Sequence, residues 1–174
     1  MSFLSNIFGR RDARARLAPL YAATVAAARD PFWYREGEVP DTVDGRFDMI
    51  AAILALVLLR LEAEGERTRT ETVLLAEAFI DDMEGNIRQL GTGDLVVGKR
   101  IGGMMGALGG RLSAFRGALG DDGMLAQAVA RNIFHDAPPS DAALSIVVAA
   151  LRRIHGGLAA LDTSEILDGK VPMP

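Results

Sequence analysis

The chain has 174 residues, 49% of them apolar, and a formal net charge of −4. This length and apolar content predict one domain with a sizeable core. The absence of cysteine excludes disulfide bonds, a thiolate nucleophile and cysteine-ligated metals, and the negative net charge disfavours general nucleic-acid binding. Aromatic residues are scarce while alanine and leucine are abundant, which favours an all-α, single-domain bundle of about six helices.

Residues 1–16 place four apolar side chains ahead of a cluster of arginines. The apolar residues fall on one face of a helix, a pattern typical of a segment that lies in a membrane interface. The alternative is a terminus whose apolar side chains cover the domain. The candidate membrane-contact residues are Phe3, Leu4, Ile7, Phe8, Arg10 and Arg11.

The predicted helical domain covers residues 17–162, and residues 163–174 are interpreted as an extended tail. Its first helix runs from about Leu17 to Arg29 and ends at Asp30–Pro31, because the residue before a proline avoids the helical region. A loop with three aromatic residues follows and is predicted to cover the core. The longest apolar run, Met49–Leu59, is well short of the roughly 20 residues of a membrane-spanning helix, so no spanning segment is expected.

The second helix, from about Asp44 to Glu64, is apolar on all sides, which predicts burial by several neighbours. Its start reads Asp-Gly-Arg-Phe-Asp. Arg46 and Asp48 are too close in sequence to face each other on a helix. Each is therefore expected to pair with another element, with Lys99, Arg100 or an acidic residue of the third helix as the candidates.

The third helix, about residues 68–90, is amphipathic with an acidic outer face, and the fifth and sixth helices are separated by Pro138–Pro139. Carboxylates on a helix can ligate metals, but a di-metal bundle site needs Glu-x-x-His pairs, and neither histidine lies in one. His135 and His155 also stand apart from any Ser, Asp or Glu at catalytic spacing. The sequence therefore predicts no catalytic residue, no metal site and no bound cofactor.

The fourth helix, about Leu95 to Phe115, carries a row of glycines. Each interior glycine costs roughly 0.5–1 kcal/mol of helix stability relative to alanine, but a row of them lets another backbone approach closely. Two interpretations stay open: the row packs against the protein's own helices, or it forms a groove for a partner. The glycines are Gly98, Gly102, Gly103, Gly106, Gly109 and Gly110, with Lys99, Arg100, Arg111 and Arg116 on or beside them.

The start of this helix also comes close to a phosphate-binding P-loop, which would run from Gly93 to Arg100. Three features disfavour nucleotide binding. Arg100 replaces the magnesium-binding hydroxyl, Asp94 would repel phosphate, and the preceding segment is helical rather than a strand.

Four stretches carry a resemblance to the ubiquinol–cytochrome c chaperone family: Ala28–Tyr34, Val39–Asp48, Asp82–Arg88 and Gly91–Arg100. The resemblance implies an all-helical, non-enzymatic assembly factor of respiratory complex III that binds newly made cytochrome b, with the ribosome or a small partner protein as further partners. The lack of a long presequence favours a bacterial member, with an expected location in the cytoplasm, peripherally associated with the inner membrane. One departure is Ile53, where the family often has a histidine.

The candidate partner-binding residues have two sources. The resemblance points to residues of Val39–Asp48 and Gly91–Arg100 and to Arg111, and the helix pattern adds Gly102 and Gly106. An alternative function is a small helical cofactor- or lipid-binding protein that carries haem or quinone between the second and fourth helices. An absorbance spectrum of the purified protein distinguishes these functions. The partner-binding candidates are Asp44, Arg46, Phe47, Asp48, Gly93, Asp94, Gly98, Lys99, Arg100, Gly102, Gly106 and Arg111.

Overall fold

The fold is all-α, as predicted, with no strand in the part of the chain that the structure describes. The computed structural model describes the backbone of residues 3–89 and 94–174, and the side chains of residues 13–86 and 98–174. The helices are α1 (Phe3–Ala28), α2 (Pro31–Arg35), α3 (Val43–Glu62), α4 (Arg69–Gln89), α5 (Asp94–Ala118), α6 (Asp122–Val129), α7 (Asp141–Ala160) and α8 (Thr163–Leu167), with a 3-10 turn at Gly65–Thr68 and a π-helical turn at Ala130–Phe134.

Helix α3 forms the centre of the bundle, where α1, α4, α5 and α7 pack around it. Every residue from Met49 to Leu58 is at most 2% exposed, which confirms the prediction of a helix buried on several sides. The helix begins where the Thr42 hydroxyl accepts a hydrogen bond from the Gly45 backbone N–H at 3.1 Å. A side chain at Gly45 would collide with the carbonyl oxygen of Pro40. The backbone can therefore begin α3 in this conformation only with a glycine at position 45.

Helix α1 is longer than predicted, because it begins at Phe3 and not at Leu17. Leu17 and Leu20 are buried in the core, and α1 contacts both α3 and α4. Residues 3–16 therefore continue the same helix that packs on the domain. The candidate membrane-contact side chains at positions 3, 4, 7, 8, 10 and 11 lie outside the described side chains.

The aromatic stretch after α1 is a short helix and not the predicted loop. Asp30 Oδ1 accepts a hydrogen bond from the Phe32 backbone N–H at 2.9 Å, and Pro31 occupies the first turn, where its missing N–H costs nothing. Trp33 is fully buried, and its Nε1 donates to the Ala27 carbonyl oxygen at 2.7 Å. The dipeptide Asp30–Pro31 thus separates two helices and directs the tryptophan into the core.

The C-terminal residues also pack on the domain, contrary to the predicted extended tail. Asp162 and Glu165 form a capping box at the start of α8, with the Asp162 N–H donating to Glu165 Oε2 at 3.0 Å. Ile166 is fully buried, and α8 contacts α1. The spacing Asp-x-x-Glu is the sequence signal that predicts this helix.

Among the described residues, one helix, α7, is long and apolar enough by composition to cross a membrane. The length of uninterrupted apolar runs in the sequence does not reveal α7, because charged residues interrupt its apolar stretches. Core helices of soluble proteins also have this composition, and α7 packs against α3 and α6 with a buried stripe at Val147, Leu151, Ile154 and Leu158. Ser140 caps the start of α7, where its Oγ accepts a hydrogen bond from the Ala143 N–H at 3.2 Å.

Candidate partner-docking site

A buried ion pair between Asp48 and Arg111 connects α3 to α5. Arg111 Nη2 contacts Asp48 Oδ1, and the two side chains are only 2% and 7% exposed, respectively. Arg111 Nη2 also donates to the Asn132 carbonyl oxygen at 2.5 Å, and Asp48 Oδ2 lies 2.9 Å from His135 Nε2. Three elements, α3, α5 and the π-helical turn, therefore meet at one cluster of polar groups.

In this cluster the opposite charges of Asp48 and Arg111 stabilise each other in a buried environment. Burial raises the pKa of Asp48, while the Arg111 guanidinium and His135 act in the opposite direction. Burial also lowers the pKa of Arg111, but an arginine side chain stays charged in proteins. The Arg111 charge is further stabilised by the Phe47 ring, whose centroid lies 5.7 Å from the guanidinium carbon. Removing either charge would leave the other buried without its partner.

The cluster corrects two expectations from the sequence. Asp48 pairs with Arg111, not with Lys99, Arg100 or an acidic residue of α4. His135 is not isolated from carboxylates, because it contacts Asp48. Direct contact of Asp48 and Arg111 with a partner would require this buried pair to open.

The other residues of the Asp44–Asp48 signature divide between the surface and the core. Asp44 and Arg46 are exposed at the start of α3. Arg46 Nε donates to Asp41 Oδ1 at 2.6 Å, so its partner also differs from the predicted candidates. Phe47 is half-buried and stacks on Phe79 with ring centroids 5.6 Å apart.

The glycines of α5 form a face that is open to solvent. At Gly98, Gly102, Gly103, Gly106, Gly109 and Gly110, which together we call the glycine face, an added Cβ would have no neighbour within 4 Å among the described residues. All six are exposed, whereas Leu108, Arg111 and Phe115 on the opposite side of α5 are buried. The described part of the structure therefore does not pack its own helices against this row, and it supports the interpretation of an open face.

Two exposed cations lie next to the glycine face. Lys99 and Arg100 have no ion pair among the described residues, whereas Arg116, near the end of α5, pairs with Glu62. Gly93 and the side chain of Asp94 lie outside what the structure describes, although the backbone of α5 begins at Asp94.

The P-loop interpretation is wrong for the described part of this stretch. Gly98, Lys99 and Arg100 lie inside α5, where backbone N–H groups bond within the helix and cannot surround a phosphate. The element before it, α4, is a helix. Among the described side chains, no group of three or more His, Cys, Asp or Glu residues is placed to hold a metal ion.

Residues 35–173 match the family model described as "Ubiquinol-cytochrome C chaperone". The chain belongs to this family. The match covers α3 to α8, so the buried ion pair and the glycine face of the chaperone both lie inside it.

The chaperone is also similar to a solved structure, described as the crystal structure of the Cbp3 homolog from Brucella abortus. The two chains are 28% identical with a TM-score of 0.81, over 99% of this chain and 97% of the other. A comparison with curated protein sequences finds no match. The predicted family and the all-α fold are both confirmed, and the family identifies the chain as a chaperone of complex III assembly.

Proposed function

We propose that this chaperone holds newly made cytochrome b by receiving one of its apolar helices on the glycine face of α5. The observation that carries the proposal is the openness of that face. Six interior glycines each cost α5 roughly 0.5–1 kcal/mol of helix stability, and none is needed to make room for a neighbour within the described structure. A partner helix provides the close neighbour that a row of small residues accommodates.

The physical basis of the interaction is close backbone approach. A helix without side chains on one face lets a second helix come near enough for extensive van der Waals contact and for weak Cα–H···O bonds. Side chains of an apolar client would fill the shallow surface between the glycines. Lys99 and Arg100 stand beside this surface, where they suit acidic loops of the client or anionic lipid headgroups.

The inner side of α5 supports the face by holding the helix in place. Leu108 and Phe115 are buried in the core, and Arg111 connects α5 to α3 and to the π-helical turn. A docking surface is more precise on a fixed helix than on a loop. A haem or quinone inserted into the contact between α3 and α5 would require these two directly packed helices to separate.

The proposed function also includes the place in the cell where the chaperone binds its client. It is a binding protein without catalytic activity that works at the cytoplasmic side of a bacterial inner membrane, close to its client. The apolar residues at the start of α1 suit peripheral membrane contact, and the ribosome or a small partner protein would bring nascent cytochrome b within reach. Deletion of residues 1–12 should move the protein from the membrane to the soluble cell fraction, and an unchanged distribution would contradict this contact.

The function is tested by purifying the tagged full chain from membranes of cells that make cytochrome b, and by measuring the cytochrome b bound to it. Gly106→Leu places a bulky side chain on the glycine face. Gly156→Leu is the matched control, because Gly156 is an exposed α7 glycine whose added Cβ also meets nothing. Wild type and the control should retain cytochrome b while Gly106→Leu loses it. Equal recovery with all three proteins would contradict the proposal.

A further inference from the structure

Two adjoining clefts are lined by residues other than the six glycines of α5. One lies where the end of α1, α2 and the start of α3 meet, and the other lies between α3, α4 and α5. The first has a volume of about 350 Å³ and is lined by the side chains of Arg29, Tyr34, Arg35, Asp41 and Arg46. The second has a volume of about 310 Å³ and shares Arg29 and Arg46 with the first. Both volumes lie at the lower end of the roughly 300–1,000 Å³ typical of ligand pockets.

The first cleft has an excess of positive charge. Three arginines line it with one carboxylate, Asp41, which already accepts a hydrogen bond from Arg46 at 2.6 Å. Arg29 and Arg35 have no ion pair among the described residues. Burial raises the pKa of Tyr34, so its phenol stays neutral and does not balance the arginines. The whole protein has a net charge of −4. This cleft nevertheless contains two arginines, Arg29 and Arg35, that have no ion-pair partner among the described residues.

The second cleft is apolar inside, and its charged edge has three arginines and one carboxylate, Asp44. Its floor is made by Phe47, Ile50, Met83 and Met104, from α3, α4 and α5. Arg29 and Arg46 separate it from the first cleft, and Arg100 from α5 also lines it. A ligand that reaches both clefts would need an anionic group next to an apolar chain.

We propose that the two clefts form one site for an anionic phospholipid, with its phosphate among Arg29, Arg35 and Arg46 and part of an acyl chain on the apolar floor. Planar guanidinium groups match phosphate oxygens in pairs, which makes arginine the residue best suited to this anion. The apolar floor gains from covering a hydrocarbon chain. This site goes beyond the docking of cytochrome b, because it assigns a lipid ligand to residues outside the glycine face.

The first test is isothermal titration calorimetry of the full chain with three soluble probes, used below their micelle concentrations. Dihexanoyl phosphatidate carries the phosphate and short acyl chains, dihexanoyl phosphatidylcholine adds a balancing cation, and inorganic phosphate lacks the chains. We expect phosphatidate to bind tightest and inorganic phosphate at least roughly tenfold more weakly. Equal affinity for phosphatidate and inorganic phosphate would show a simple anion site and overturn the proposal.

The second test uses variants that change the charge by the same amount in two places. Arg29→Gln combined with Arg35→Gln should weaken phosphatidate binding by roughly tenfold or more, since charge-assisted hydrogen bonds are lost. Arg131→Gln combined with Arg153→Gln is the control, because both residues are exposed and have no ion pair among the described residues. Equal weakening by the two double variants would indicate general attraction and overturn the proposal.

The result that would assign the clefts to another ligand is also measurable. If phosphatidate does not bind but a soluble peptide with acidic and apolar residues does, and Arg29→Gln with Arg35→Gln weakens that peptide, the clefts are a polypeptide site and the lipid proposal is wrong. Circular dichroism melting of each variant confirms that it is folded. The affinity for cytochrome b is measured separately, so failure of the lipid site leaves the glycine-face proposal unaffected.

Discussion

Helices α3 and α5 pack against each other but use their surfaces in opposite ways. From Met49 to Leu58, α3 is covered on every side by large aliphatic and alanine side chains of its own and by four neighbouring helices. Burying each large side chain stabilises the fold by roughly 1.5–3 kcal/mol. Helix α5 buries only one side and presents glycines on the other. A glycine has no side chain to bury, so folding alone gains little from this face.

The glycines themselves show the same difference. Gly45 in α3 is required by the fold, because any side chain there would meet the Pro40 carbonyl. Gly106 in α5 has open space around it, so the fold does not require it. The comparison indicates that small residues serve internal packing in α3 and are available to a partner in α5.

The largest expected effect concerns the ion pair that joins these two helices. Arg111→Leu leaves Asp48 buried without its partner, and we expect the free energy of unfolding to fall by about 3–5 kcal/mol. The double variant Asp48→Leu with Arg111→Leu removes both charges and should recover much of that loss. Urea unfolding of the three proteins measures this. A single variant as stable as wild type would show that the pair does not hold α5 to α3.

A smaller loss is expected for Gly45→Ala. The collision with Pro40 requires the backbone to shift, and such overpacking typically costs about 1–3 kcal/mol, although alanine has the higher helix propensity. The midpoint of urea unfolding should therefore fall. A midpoint above that of wild type would mean that the entry to α3 adapts easily, and the contrast between the two kinds of glycine would disappear.

The smallest expected effect has the opposite sign. Gly106→Ala gains helix propensity without any collision, so the free energy of unfolding should rise by up to about 1 kcal/mol. Gly156→Ala in α7 should behave in the same way and serves as the reference. If Gly106→Ala destabilises the protein while Gly156→Ala does not, the glycine face is covered within the chaperone itself.

The features that could be predicted from the sequence are those set by local pattern. Composition predicted the all-α class, the apolar pattern indicated the approximate limits of α3 and α5, and the composition of α3 predicted its burial. The contact of Asp48 with Arg111 joins residues 63 positions apart. No local rule predicts such a pair. The same limit applied to the glycine face, since its smoothness is visible in the sequence but its exposure depends on which side of α5 meets α3.

The two short helices α2 and α8 are marked in the sequence by capping residues, which apolar periodicity alone does not detect. Asp30–Pro31 is a helix stop, yet the same two residues also begin α2. Asp162 and Glu165 form the capping box of α8 in a stretch without clear apolar periodicity. In both places the capping chemistry is a better guide than the period, because helices of five residues are too short to show one.

The most direct test of the central proposal is the level of assembled complex III in cells whose only copy of the chaperone carries Gly106→Leu, compared with cells that carry Gly156→Leu. Urea unfolding and protein abundance establish that both variants are folded and present. We predict normal complex III with Gly156→Leu and a clear loss with Gly106→Leu, because the leucine holds the client helix away from α5. Normal complex III with a folded, abundant Gly106→Leu protein would contradict the assignment of the glycine face as the site that receives cytochrome b.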